Sequence, residues 1–181
     1  MKKKKWLISA LLLAFVVIPA AGCLRRQAAP PPQPSEPPAP LEQAFTMYFG
    51  DQEAEYLLPE ERKVTVPQGQ TLLQTAAAEL PLDPRTPDAV RLMPAETEIL
   101  GVTAENNLVT INFNEKLRDN FQGGSSSEGL LIYSVVNTLT GIEGYKDYKV
   151  RFLINGQPFE SIGGHISAEE QFARNEAIIK R

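Results

Sequence analysis

A single cysteine, Cys23, and a single histidine, His165, set narrow limits on the chemistry open to this chain of 181 residues. One thiol excludes an internal disulfide framework and a multi-cysteine metal site. One imidazole leaves any Ser-His-Asp relay dependent on His165 alone. That histidine follows Gly163 and Gly164, a pair that points to a tight turn or to close packing against another surface. Gly163, Gly164 and His165 are therefore a candidate interaction surface, since a lone histidine after a turn is more often a loop residue than a catalyst. The run Gly123-Gly124-Ser125-Ser126-Ser127-Glu128 could hold an anion at a helix N-terminus. It lacks the Gly-Lys-Ser/Thr of a phosphate loop and the strand-Gly-x-Ser-x-Gly setting of a nucleophilic serine. Ser125 and Glu128, with Gly124 before them, instead have the spacing of a helix cap. Glu53, Glu55, Glu60 and Glu61 cluster in predicted turns, with nothing to split the pKa values of a catalytic pair. The residues predict no catalytic constellation, no metal site and no cofactor.

Cys23 has a different setting. Lys2 to Lys5 form a basic segment, and Trp6 to Ile18 form an uncharged apolar run that is short for a membrane-spanning helix and right for a signal peptide. Pro19 breaks it, and Ala20, Ala21 and Gly22 lead to Cys23. This resembles a bacterial lipobox, with Ala20 where such motifs usually carry leucine. In that chemistry the thiol receives a diacylglyceryl group and the chain is cut before the cysteine. Small residues before the cut suit an extended binding cleft, and two or more acyl chains make the attachment stable. Thioether formation also accounts for a lone cysteine in an oxidising compartment. The alternatives are an ordinary secretory signal cleaved after alanine and an uncleaved anchor. The expected location is the outer face of the bacterial cytoplasmic membrane, with that membrane as a partner through the lipid.

Removing the four lysines of the leader leaves 14 basic against 22 acidic residues, a net charge of −8. Such a surface argues against nucleic acid and against anionic lipid or polymer as electrostatic partners. Residues 24–42 hold seven prolines between Pro30 and Pro40. This segment favours polyproline II and would act as a spacer of roughly 40–60 Å.

The elements that must position the candidate residues follow. Phe45, Met47 and Phe49 alternate as a strand with one buried face. Tyr56–Leu58 and Lys63–Val66 read as strand pieces around a Pro59–Arg62 turn. Thr71–Leu80 reads as a helix ended by Pro81. Glu98–Val102 and Leu108–Phe113 pair across a Glu105-Asn106-Asn107 turn. The helix opening at Ser125 has an apolar face of Leu131, Ile132, Val135, Val136 and Leu139, and Gly141 is placed to end it in the left-handed conformation. Tyr148–Ile154 and Gln157–Ile162 read as a hairpin around Asn155-Gly156. The predicted class is α+β, a small mixed or antiparallel sheet with two helices packed on one face. The predicted organisation is a signal peptide at 1–22, a lipidated cysteine and tether at 23–42, a domain at 43–166 and a polar tail at 167–181, in which Ser167 and Glu170 could cap a short helix.

The stretch GGSSSEGLLIYSVVNTLTGIEGYKDYKVRFLINGQPFESIGGHIS resembles the core of the GerMN domain of bacterial sporulation and germination proteins of the GerM type. MYFGDQEAEYLLPEERKV, the helix from Thr71 and LMPAETEILGVTAENNLVTINFNEKL agree with it, so the resemblance spans residues 44 to about 175. It implies a non-catalytic domain similar to the ring-building modules of secretion-type assemblies, with sheet and helix faces that pack on neighbouring proteins. It carries over no catalytic residue. GerM-type sporulation proteins hold two such domains, whereas this chain has one. The expected function is a lipid-anchored interaction module in sporulation or germination, whose partners are other envelope or sporulation proteins, with peptidoglycan as a further candidate. The docking surfaces expected are the exposed face of the helix from Ser126 and the edge from Gln157 to His165. The alternatives are a vegetative glycan-binding lipoprotein, with Tyr145 and Tyr148 as its aromatics, and a peptidoglycan-acting enzyme.

Overall fold

The structure is a computed structural model that describes residues 41–181. Two strands, β1 (Leu41–Gly50) and β2 (Leu57–Val66), form an antiparallel ribbon. Helix α1 (Leu72–Glu79) follows, then β3 (Ile99–Glu105), β4 (Leu108–Phe113), a short α2 (Lys116–Asp119), α3 (Ser125–Thr140), β5 (Lys149–Ile154) and β6 (Phe172–Ala173). The last four strands make a second sheet in the order β3-β4-β5-β6. The class is α+β as the sequence implies, but with two sheets instead of one. Helix α3 packs against β1 as well as against β5 and β6, and α1 packs on β2, β3 and α3.

The ribbon corrects one expectation. β2 runs through Pro59, Glu60, Glu61 and Arg62 without a turn, each opposite a residue of β1. Parity explains how proline is accommodated. Leu57 donates its N–H outward to Ile178 O at 2.7 Å, so Pro59, two residues on, places its missing donor on the same outer edge, where the ladder loses nothing.

The β3–β4 hairpin closes as expected, with Asn106 and Asn107 both at positive φ, 51° and 60°. β4 and β5 run parallel, an arrangement that needs a crossover, and α3 supplies it. Val109, Ile111 and Phe113 of β4, Val150 and Phe152 of β5, and the predicted apolar face of α3 form one core with Phe45, Met47 and Phe49. Phe152 stacks on Phe113 and meets Phe172 edge to face, each with ring centres 5.7 Å apart.

The second hairpin does not form. Asn155 and Gly156 turn at φ 50° and 77°, but the returning chain makes a single bridge, Ile154 to Gln157. Pro158 has no N–H to continue the ladder, and residues 162–165 are drawn elsewhere, as described below. β6 takes the edge of β5 instead, at Lys149 and Val150. Gly141 also departs from expectation. It ends α3 in a right-handed conformation, φ −76°, and its lack of a side chain matters for space: a Cβ would lie 2.8 Å from Asn137 O.

Residues 167–181, expected as a polar tail with a capped helix, form no helix and pack on the domain. Ala168 and Phe172 are buried. The buried amide of Asn137 donates to Asn175 O at 2.7 Å and accepts from Asn175 N–H at 2.9 Å. Arg174 donates to Asn137 O at 2.7 Å and to the Tyr48 hydroxyl at 3.0 Å. Its positive charge thus sits on a carbonyl near the end of α3, where the helix dipole favours a cation.

Candidate interaction site

Two features that the sequence presents separately, the Ser125/Glu128 cap and the Gly163-Gly164-His165 loop, are one structure. Glu128 is fully buried. Its Oε1 accepts the N–H groups of Ile162 at 3.1 Å and Gly163 at 2.8 Å, and Oε2 accepts that of His165 at 2.9 Å. The loop wraps its main-chain donors around one carboxylate, which satisfies a buried charge that would otherwise be costly. Each glycine has its own reason. A Cβ on Gly163 would lie 2.5 Å from Phe121 Cε1 and 3.1 Å from Glu128 Oε2. Gly164 has open space around it but φ +85°, which disfavours any side chain.

This overturns the capping role of Ser125 and Glu128. Gly124 is the N-cap residue, with no side-chain cap, and Ser125 is already the first helical residue. The helix therefore starts one position earlier than a Ser125 cap requires, and Glu128 reaches sideways to the loop instead of back along the helix. Its charge in the first turn still complements the helix dipole.

The loop shows its surroundings mainly Gly164 and His165, which are exposed, whereas Gly163 is half-buried. Only the backbone of His165 is recruited by Glu128, so its imidazole adds nothing to the cradle. The other expected docking surface is small: α3 exposes Ser125 and Ser126, and beyond its first turn it is buried except for the half-buried Gly129 and Tyr133. Tyr145 and Tyr148, the candidate glycan-binding aromatics, meet edge to face at 5.1 Å and pack half-buried on the core. Cys23 and the proline-rich segment through Pro40 lie outside the described residues.

Other polar clusters were not legible in the sequence. Arg62 is buried and pairs with Glu60 at 2.6 Å, donates to Asp83 O at 2.7 Å, and lies over the Phe49 ring at 5.4 Å. Burial of the Glu60 carboxyl acts to raise its pKa, but the Thr86 hydroxyl and N–H, the Arg85 N–H and the Arg62 charge outweigh it and hold it below the usual glutamate value. The pair pins the segment after α1 to the ribbon. Glu60 and Arg62 share a strand face only because β2 runs straight through the predicted turn. Among the described residues no three His, Cys, Asp or Glu side chains converge as a metal site, and no helix is long and apolar enough to cross a membrane.

The fold has solved counterparts. The first GerMN domain of the sporulation protein GerM from Bacillus subtilis aligns at 15% identity and a TM-score of 0.55, over 74% of this chain and 98% of that one. The tandem GerMN domains of the same protein align at 18% identity and a TM-score of 0.54, over 72% of this chain and 46% of theirs. This chain thus spans less than half of the tandem pair. A protein of Clostridium perfringens described as a lipoprotein aligns at 18% identity and a TM-score of 0.51, over 73% of this chain and 87% of that one. At these identities the likeness is one of fold. No curated protein matches the chain. A family model, Germane, described by sporulation and spore germination, matches residues 46–160, well over half of the sequence, and on that match the chain belongs to the Germane family, the family of GerMN-type domains.

Proposed function

We propose that this protein is a lipid-anchored, extracytoplasmic interaction module of sporulation or spore germination that does no chemistry of its own. Cys23 carries the lipid, the proline-rich segment spaces the domain from the membrane, and the domain docks on other envelope proteins. The observation that carries this reading is the Germane match over residues 46–160. The lipobox-like residues before Cys23 support the anchor, as does the likeness to a clostridial protein described as a lipoprotein. The Gly163–His165 loop supports docking over catalysis, because the Gly163 and His165 N–H groups are committed to Glu128 while Gly164 and His165 are exposed.

Two experiments test it. Cys23→Ala is expected to release the protein from the membrane fraction or stall its processing; unchanged partitioning would remove the anchor. Crosslinking in intact cells, with mass spectrometry of what is captured, is expected to recover specific envelope or sporulation proteins, and His165→Ala to reduce that recovery without altering the fold. Recovery of cell-wall fragments alone would shift the reading to a glycan-binding lipoprotein.

A further inference from the structure

β1 and β2 form a sheet of two strands, so each has an outer edge. On β2, Leu57 exchanges hydrogen bonds with Ile178 and Lys180 at 2.7 and 2.9 Å, and Pro59 has no N–H to offer. Glu61, Lys63 and Thr65 also turn main-chain groups outward with no partner among the described residues, but a two-fold pairing there would set the charged Lys63 against itself, which disfavours it. On β1, Gly50 exchanges hydrogen bonds with Val90 at 3.1 and 2.8 Å, and Tyr48 donates to Thr138 Oγ1 at 3.2 Å. Thr46, Ala44 and Glu42 share the parity of Tyr48 and Gly50 and turn their main-chain groups the same way. Among the described residues those groups have no partner. The free stretch borders a groove of about 650 Å³ between Thr71 and Leu72 at the start of α1 and Glu143 and Tyr145 after α3. An unprotected, regular strand edge is a template for another strand.

We infer that this edge pairs antiparallel with the same edge of a second copy of the chain, joining two ribbons into one four-stranded sheet. The chain's own proline-rich segment is a poor occupant, because its seven prolines between Pro30 and Pro40 cannot donate to a ladder. A second copy fits by register. The free outward-facing residues are Glu42, Ala44 and Thr46, with Ala44 in the middle. A two-fold axis at Ala44 sets the two alanines against each other, where a small side chain permits close approach. It sets Glu42 of each copy against Thr46 of the other, so a carboxylate meets a hydroxyl that can donate to it, and the two Glu42 charges stay apart. The pairing ends where the Tyr48 N–H is already used, and comprises about six main-chain hydrogen bonds. It depends on the strand edge alone and not on the anchor.

Disulfide trapping of the full chain in whole cells under mild oxidant tests the register, with the unmodified chain as background for Cys23. Directly opposed residues of a hydrogen-bonded antiparallel pair lie about 5.5 Å apart at Cα, within disulfide reach. The two copies of Glu42 are offset by four residues, roughly 13 Å along the strand, which is out of reach. Ala44→Cys is expected to give a homodimer about tenfold above Glu42→Cys and above Leu100→Cys on exposed β3. Co-expressing Glu42→Cys with Thr46→Cys is expected to restore it. Equal trapping at positions 42 and 44, or trapping of Ala44→Cys at the Leu100→Cys level, overturns the inference. So does its capture by a different polypeptide, which would assign the edge to another partner. A failed anchor would change the fraction in which the protein is found, not this pattern, so the two failures are distinguishable.

Discussion

Both long helices open on a hydroxyl residue followed three positions later by a side chain able to reach back. Thr71-Leu72-Leu73-Gln74 opens α1, and Ser125-Ser126-Ser127-Glu128 opens α3. At α1 the pattern does what it does in an isolated helix. The Thr71 hydroxyl accepts the Gln74 N–H at 3.3 Å, and Gln74 Oε1 accepts the Thr71 N–H at 2.9 Å. At α3 it does neither, because Glu128 is taken by Ile162, Gly163 and His165. The first turn of α1 is largely exposed around Thr71 and Gln74, and there is no competitor for their bonds. At α3 the competitor is a loop with three free N–H groups beside a fully buried position. A buried carboxylate gains more from several main-chain donors than from one cap. A local cap motif is a local solution, overridden when tertiary structure offers the same group a stronger set of partners.

The largest effect is expected at Glu128. Glu128→Ala leaves buried main-chain donors unpaired and is expected to cost about 3–5 kcal/mol, read as a fall in the urea midpoint. If the loss were no larger than that of a cap, the cradle would not be the reason for the residue. Gly163→Ala, which drives a methyl into the Phe121 ring, is expected to cost about 1–3 kcal/mol through displacement of that ring, and thermal unfolding by circular dichroism would show it. At the other helix, Thr71→Ala is expected to cost about 1 kcal/mol. A double-mutant cycle with Gln74→Ala should show coupling, because each supports the other's bond. The smallest effect is expected for Ser125→Ala, within about 0.5 kcal/mol. A loss comparable to that of Thr71→Ala would restore Ser125 as a cap.

Sequence is most legible where information is local. The alternation in β1, the Asn106-Asn107 turn and the apolar face of α3 are visible because strand parity and helix period are set within a few residues. β2 is hidden by Pro59, which reads as a break although its nitrogen faces an outer edge. After Asn155-Gly156 the turn forms, but the outer partner of β5 is Phe172 and Ala173, beyond a segment held by Glu128. The candidate site was half legible. The glycine pair signals a turn or close packing, and each reading holds for one residue: Gly164 turns at positive φ, and Gly163 packs on Phe121 and on Glu128, 35 residues away.

The sequence alone states which reactive side chains are present and which local patterns the chain carries. One cysteine, one histidine and an acidic balance bound the reactions open to it, and a family pattern over residues 46–160 identifies the domain. Beyond the local Thr71–Gln74 cap, the tertiary structure settles which polar groups meet. Glu128 with its loop, Arg62 with Glu60, and Asn137 with Asn175 are each far apart in sequence or unremarkable in it. Such pairings are settled by burial, since a polar group removed from water must find its partners wherever packing brings them.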